Sequence, residues 1–144
     1  MNLQESKEKV FLTATDTTIG FLSKDSKSLD RAKKRAPNKH YIKAIPSFKS
    51  LTKRVPKAHK NLVRRAKKTT FIINKDSFRV VKDKKHLFLL NRLGYAYTSS
   101  ANESGKEYNF DYASKAADVL VYPLHSAKAS TIIKLGKKRK KRLR

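Results

Sequence analysis

At 144 residues and 16.5 kDa the chain has the size of one domain with a real core, although only 38% of its residues are apolar and 33% are charged. Its 36 Lys and Arg against 11 Asp and Glu leave a formal charge of +25. A compact body with that charge repels itself, so the expected partners are anions: nucleic acid, nucleotides or an anionic membrane surface. No cysteine is present, which excludes disulfides and thiolate metal sites, and no apolar run approaches the roughly 20 residues of a membrane span. The polar, acidic start Met1-Asn2-Leu3-Gln4-Glu5-Ser6 is unlike a signal peptide, so a soluble, cytoplasmic protein is expected.

Val10-Phe11-Leu12-Thr13 reads as a buried strand that stops at the hydroxyl-rich loop Ala14-Thr15-Asp16-Thr17-Thr18-Ile19-Gly20. A short helix is expected to begin at a Ser28 cap and to end before Pro37. Tyr41-Ile42-Lys43-Ala44-Ile45 alternates like a half-buried strand, and Pro46-Ser47 opens a helix carrying Phe48 and Leu51. Pro56 to Lys68 has Leu62, Val63 and Ala66 at helical spacing. Thr69 to Ile73 and Phe78 to Val81 are two strands about the turn Asn74-Lys75-Asp76. Leu87, Leu90, Asn91 and Gly94 mark a helix that ends at the glycine, and Tyr95 to Thr98 is the next strand. Val119 to Tyr122 and Thr131 to Lys134 complete the expected strands. Strands and helices mix without strict alternation, which points to a mixed, twisted α/β sheet. The division is a folded body over residues 1–135 and a basic tail over 136–144. In that tail Lys137, Lys138, Arg139, Lys140, Lys141 and Arg142 are expected to be mobile and available to RNA phosphates.

Three clusters carry candidate chemistry. The first is Thr15-Asp16-Thr17-Thr18 at a strand end, where ligands of open α/β sheets bind. The second is the basic loop Lys33-Lys34-Arg35-Ala36-Pro37-Asn38-Lys39, whose cations suit phosphates or a carboxylate, Arg35 through a bidentate fork. The third is Ser100 and Asn102 after an apolar strand; two residues apart, they are expected to share a face and reach one ligand. Read separately, each cluster is equally a solvated loop or ordinary turn chemistry. There is no Walker loop, no Rossmann glycine turn and no metal-ligand spacing among the four histidines.

The order of the clusters resembles the YrdC/YciO family, the threonylcarbamoyl-AMP synthases. Its Pro-Thr-Asp-Thr strand end is similar to Ala14-Thr15-Asp16-Thr17, and its Lys-x-Arg loop to Lys33-Lys34-Arg35. Its Ser-Ala-Asn-x-Ser-Gly segment matches Ser100-Ala101-Asn102-Glu103-Ser104-Gly105. Its later Ser-Thr strand resembles Ser130-Thr131-Ile132-Ile133, and its Val-Arg-Val strand resembles Phe78-Arg79-Val80-Val81. The resemblance spans roughly residues 8–135. It implies an α/β (α+β) YrdC-like twisted mixed open sheet with flanking helices and a basic concave cleft. It further implies synthesis of threonylcarbamoyl-AMP and pyrophosphate from L-threonine, bicarbonate and ATP with Mg2+, for the threonylcarbamoyladenosine modification of tRNA. Carried over, Lys33 and Arg35 are the catalytic pair, and Lys33, Arg35, Ser100, Asn102 and Ser130 hold ATP. Thr17, Lys39 and Arg79 seat threonine. The family's Pro-Gly-Pro loop is reduced here to Lys67-Lys68-Thr69-Thr70-Phe71, and the first helix is short. The alternative expectation is a non-catalytic YrdC-like paralogue that binds double-stranded RNA or tRNA through its cleft and tail.

Overall fold

The computed structural model describes residues 7–37, 39–121, 123–125 and 127–144. The start Met1 to Ser6, Asn38 of the basic loop and Tyr122 at an expected strand end lie outside the described residues. Among the described residues nine strands form one mixed sheet: β1 (Phe11–Ala14), β2 (Ile19–Ser23), β3 (Ile42–Ile45), β4 (Thr69–Ile73), β5 (Asp76–Val80), β6 (Ala96–Ser100), β7 (Val119–Val121), β8 (Thr131–Leu135) and β9 (Lys140–Arg142). Their spatial order is β7-β1-β2-β6-β3-β5-β4-β8-β9. The pairs β1–β7, β3–β5 and β4–β8 are parallel and the other five antiparallel. Among the described residues four α-helices accompany them: α1 (Ser26–Lys33), α2 (Lys60–Arg65), α3 (Lys84–Leu93) and α4 (Phe110–Ala116).

Both faces of the sheet are covered, which is why its strands read as nearly continuous apolar runs rather than as clean alternation. Leu12 and Phe21 pack with Leu29 and Ala32 of α1 and Ala113 of α4. Their chain neighbours Phe11 and Leu22 turn to the other face, against Leu90 and Leu93 of α3. Val63 of α2 covers the far end of the first face, over Ile45, Phe71, Val80 and Leu135.

Local signals account for the element ends. Helix α1 is capped by Asp25, whose carboxylate accepts from Lys27 N, three residues before the expected cap. Ser28 instead donates from its hydroxyl to Glu8 O at 2.8 Å and ties the helix to the chain before β1. Asp83 caps α3 through His86 N, and Gly94 closes it at φ 85°. Asn74, at φ 56°, lets the β4–β5 hairpin turn in two residues.

Three expectations change. The hydroxyl-rich loop ends sooner than read: Ile19 to Ser23 is strand β2, antiparallel to β1 from Phe11↔Leu22 to Ala14↔Ile19. The helix expected after Pro46 is only a 3-10 turn, Phe48–Ser50, and the Pro56 helix is a 3-10 turn (Lys57–His59) leading into α2. The basic end expected as a mobile arm instead forms β9, whose Lys140, Lys141 and Arg142 pair with Leu135, Lys134 and Ile133. Backbone pairing to β8 supplies what the charged side chains cannot, because a ladder is made by amides and carbonyls whatever the side chains carry.

Gly20 lets β2 pass close to β6. A Cβ there would meet Ser99 O at 3.0 Å and Thr15 Cγ2 at 3.2 Å, one atom fixed backbone and the other the tip of the neighbouring loop. Gly20→Ala is therefore expected to lose about 1–3 kcal/mol of stability, read from the midpoint of urea unfolding. An unchanged midpoint would contradict the close approach.

Candidate functional site

The β1–β2 loop folds on its own hydroxyls. Thr15 Oγ1 accepts from Thr17 N at 3.1 Å and donates to Thr18 O at 2.6 Å. This presents Asp16 and Thr17 inward, both buried. Across from them β5 brings Arg79, whose Nη1 donates to Asp16 Oδ1 at 3.0 Å and Thr17 Oγ1 at 2.8 Å, while Nε donates to Thr70 Oγ1 at 3.2 Å. Thr70 Oγ1 in turn lies 2.9 Å from Ser130 Oγ. Arg144, following β9, donates from Nε to Ser130 O at 2.8 Å and from Nη2 to Ser130 Oγ at 3.2 Å. One continuous chain of polar contacts thus runs from the first strand to the last.

Asp16 is the anionic node of this chain. Burial would raise its carboxyl, but His86, with Nδ1 3.7 Å away, and the Arg79 guanidinium outweigh that and hold it below its ordinary value. Asp16 Oδ2 and both ring nitrogens of His86 have no hydrogen-bond partner among the described residues.

Above the network lies a cleft of about 430 Å³, within the range of small-ligand sites. Thr17, Arg35, Arg79, Ser100 and Ser130 all line it, five of the sequence-derived residues from five separate segments. The Arg35 guanidinium rests 4.8 Å over the Tyr41 ring, and its Nε is buried with no hydrogen-bond partner among the described residues. Tyr41 is itself anchored by its hydroxyl on Asp30 Oδ1 at 2.7 Å; burial and that contact push the phenol above its ordinary value. The result is three guanidiniums, of Arg35, Arg79 and Arg144, and a set of hydroxyls converging on one space, the donor set for phosphate and carboxylate oxygens.

The other candidates lie elsewhere. Lys33 is 4% exposed, and its ammonium donates to Ser100 O, Asn102 O and Asn102 Oδ1 at 2.9, 3.0 and 3.1 Å. Its three donors are thereby committed to the end of β6. Burial first, and the Arg35 charge second, pull Lys33 down to about 8, which leaves it charged at neutral pH. Ser100 lines the cleft, and its Oγ donates to the Oδ1 of Asn102, which follows the end of β6 and does not itself line the cleft. The Asn102 side chain turns back to clamp the loop, donating to Glu103 O and Lys106 O at 3.0 and 2.7 Å. Lys39 is exposed and lines a separate groove of about 470 Å³ that shares His40 and Tyr41 with the cleft. Lys137 to Arg142 are exposed on β9 and the turn before it, and none lines the cleft.

Arg144 is a cleft residue that the sequence reading missed. The available signal was a hairpin, with Gly136 closing β8 and a second run returning beside it, but seven cations in eight residues obscured it.

No family model matches the chain. An uncharacterized protein of Mycoplasma pneumoniae, named as a homolog of MG259, is 38% identical over 92 residues, 62% of this chain and 20% of that protein. The chain thus spans about a fifth of the length of the curated relatives it matches. Among solved structures, Sua5 of P. abyssi complexed with L-threonine superposes with a TM-score of 0.75 at 19% identity, over 96% of this chain and 51% of that one. YciO of E. coli superposes at 0.73 with 14% identity, over 99% and 85%. The chain has the YrdC/YciO-type fold.

The Asp16–Arg79 pair yields a test. Asp16→Asn leaves a nearly buried guanidinium without its counter-charge and is expected to cost about 3–5 kcal/mol in chemical unfolding. Because the folded carboxyl lies below 3.8, the pair's contribution is present above that value and fades as pH falls through the depressed folded one. The variant should therefore lose that acid limb of the stability curve. Sulfate or pyrophosphate should raise its Tm more than that of the parent; equal shifts would contradict the role given to Asp16.

Proposed function

We propose that the chain is the catalytic domain of a threonylcarbamoyl-adenylate synthase, which joins L-threonine, bicarbonate and ATP and releases pyrophosphate. The observation that carries this reading is the convergence of Arg35, Arg79 and Arg144 with the Thr17, Ser100 and Ser130 hydroxyls on one cleft, in the fold of a protein solved with L-threonine. In this reading threonine's amine adds to bicarbonate, with loss of water, to give a carbamate. A carbamate oxygen then attacks the α-phosphorus of ATP, and the bond to pyrophosphate breaks. Arg35 and Arg144 neutralise the phosphates, and Thr17 and Arg79 seat the threonine carboxylate. Fixed cations aimed at developing charge supply the stabilisation.

Lys33 contributes from behind the cleft by fixing the Ser100–Asn102 turn, and Asn102 through the same clamp. Ser100 and Ser130 contact the nucleotide directly. Magnesium arrives with the nucleotide as part of the substrate. Among the described residues there is no cluster of three His, Asp or Glu side chains able to cage an ion, and Asp16 is held by Arg79. Such an ion takes its ligands mainly from phosphate oxygens and water. The product would feed the threonylcarbamoyladenosine modification of tRNA.

Purified protein given ATP, L-threonine, bicarbonate and magnesium is expected to release pyrophosphate that depends on threonine. Arg35→Ala should lower that rate by about 10²–10³-fold with an unchanged unfolding midpoint. No threonine-dependent release from the parent chain would end the proposal and leave the RNA-binding paralogue as the better reading.

A further inference from the structure

Residues 31–75 and 119–144 contain neither Asp nor Glu, yet hold 25 of the 36 Lys and Arg residues. The topology brings the later part of each stretch to one end of the sheet. Helix α2 and β4 come from the first, β8 and β9 from the second, and β4 and β8 run parallel from Thr69↔Thr131 to Ile73↔Leu135. Residues 137–144 are all exposed, and among the described residues no carboxylate pairs with any of their cations.

The cations have a defined arrangement. Arg54, Lys57, Lys137 and Lys138 surround one open groove of about 1010 Å³ with Ile73 and Leu135 among its apolar lining. Lys140 and Arg142 stand opposite Leu135 and Ile133, and cross-strand partners point to the same face, so both lie on the side of α2. At two residues' separation they are about 7 Å apart along the strand. This is a band of separated charges along an edge, not a ring of donors closing on one small anion. It suits a ligand that repeats its negative charge.

We infer that the α2 side of the β9 edge is a docking surface for the phosphate backbone of RNA, separate from the cleft and independent of what the cleft catalyses. Nucleic acid fits better than an anionic membrane, because the exposed residues of the band are cationic and its apolar ones line a groove. An interfacial surface would instead present apolar side chains outward. The plain alternative is that edge lysines only keep β9 from pairing with another sheet.

The test uses a fluorescein-labelled RNA of mixed sequence, titrated as single strand and as duplex, with the affinity followed against salt. A variant carrying Lys137→Gln, Lys138→Gln, Lys140→Gln and Arg142→Gln should weaken binding and flatten the single-strand salt slope by about 3, at about 0.7 per phosphate contact. Arg54→Gln with Lys57→Gln, on a different element, should flatten it by about 1.4 and guards against misfolding of β9. A control removing four charges on the α3 side, Lys82→Gln, Lys84→Gln, Lys85→Gln and Arg92→Gln, should leave affinity within about twofold. The inference is overturned if the control loses as much as the edge variants. It fails equally if the edge variants aggregate with RNA affinity unchanged, or if vesicles of matched charge bind as tightly as RNA.

Discussion

The buried contact between Asp16 and Arg79 is the constraint on which the site depends. It joins the β1–β2 loop to β5 across the two strands that lie between β2 and β5 in the sheet, β6 and β3. An isolated buried guanidinium is costly, and so is an isolated buried carboxylate, so each element is held in place by the other's need. The pair leaves Arg79 oriented along the cleft floor, passes through Thr70 to Ser130, and gives Arg144 a fixed acceptor. In a chain of +25 this one internal carboxylate makes a concentration of positive charge tolerable where a ligand must enter.

Much of the fold was legible in the sequence because its strands are short apolar runs bounded by turn residues. β1, β3, β4 and β6 fall where those runs lie, and Gly94 closes α3 as its position implied. β2 was hidden because Ile19-Gly20 follows four hydroxyl and acid residues, so the loop's polarity masked the start of the strand. α4 was missed because Phe110-Asp111-Tyr112-Ala113 shows no apolar stripe wide enough to betray it, and its cap, Asn109, is also a common loop residue. β9 was unreadable from side chains, since it is made almost wholly by backbone pairing.

The site was legible by residue type and less so by role. Thr17, Arg35, Arg79, Ser100 and Ser130 do converge, although they come from distant segments. The resemblance to the family's Lys-x-Arg loop and Ser-Ala-Asn segment points to Lys33 and Asn102 as ligand contacts. The structure shows another engagement for both: the buried Lys33 ammonium donates to Ser100 O, Asn102 O and Asn102 Oδ1, and so braces the wall from behind. Ser100 and Asn102 do meet, Ser100 Oγ donating to Asn102 Oδ1, but Asn102 lies just past the strand end, and Ser100 rather than Asn102 lines the cleft.

The sheet order gives the cleft a further property. Strands β7-β1-β2-β6 form one half and β3-β5-β4-β8-β9 the other, and the backbone ladder joins them where β3 pairs with β6 over Ile42↔Thr98 to Ala44↔Ala96. Thr17 and Ser100 belong to the first half; Arg79, Ser130 and Arg144 belong to the second. A ligand in the cleft therefore grips both sides of the seam, working as a staple across it. Amide exchange that requires the halves to part should slow together across both of them, far from any contact with the ligand, while exchange by local fraying of the outer strands proceeds at its former rate.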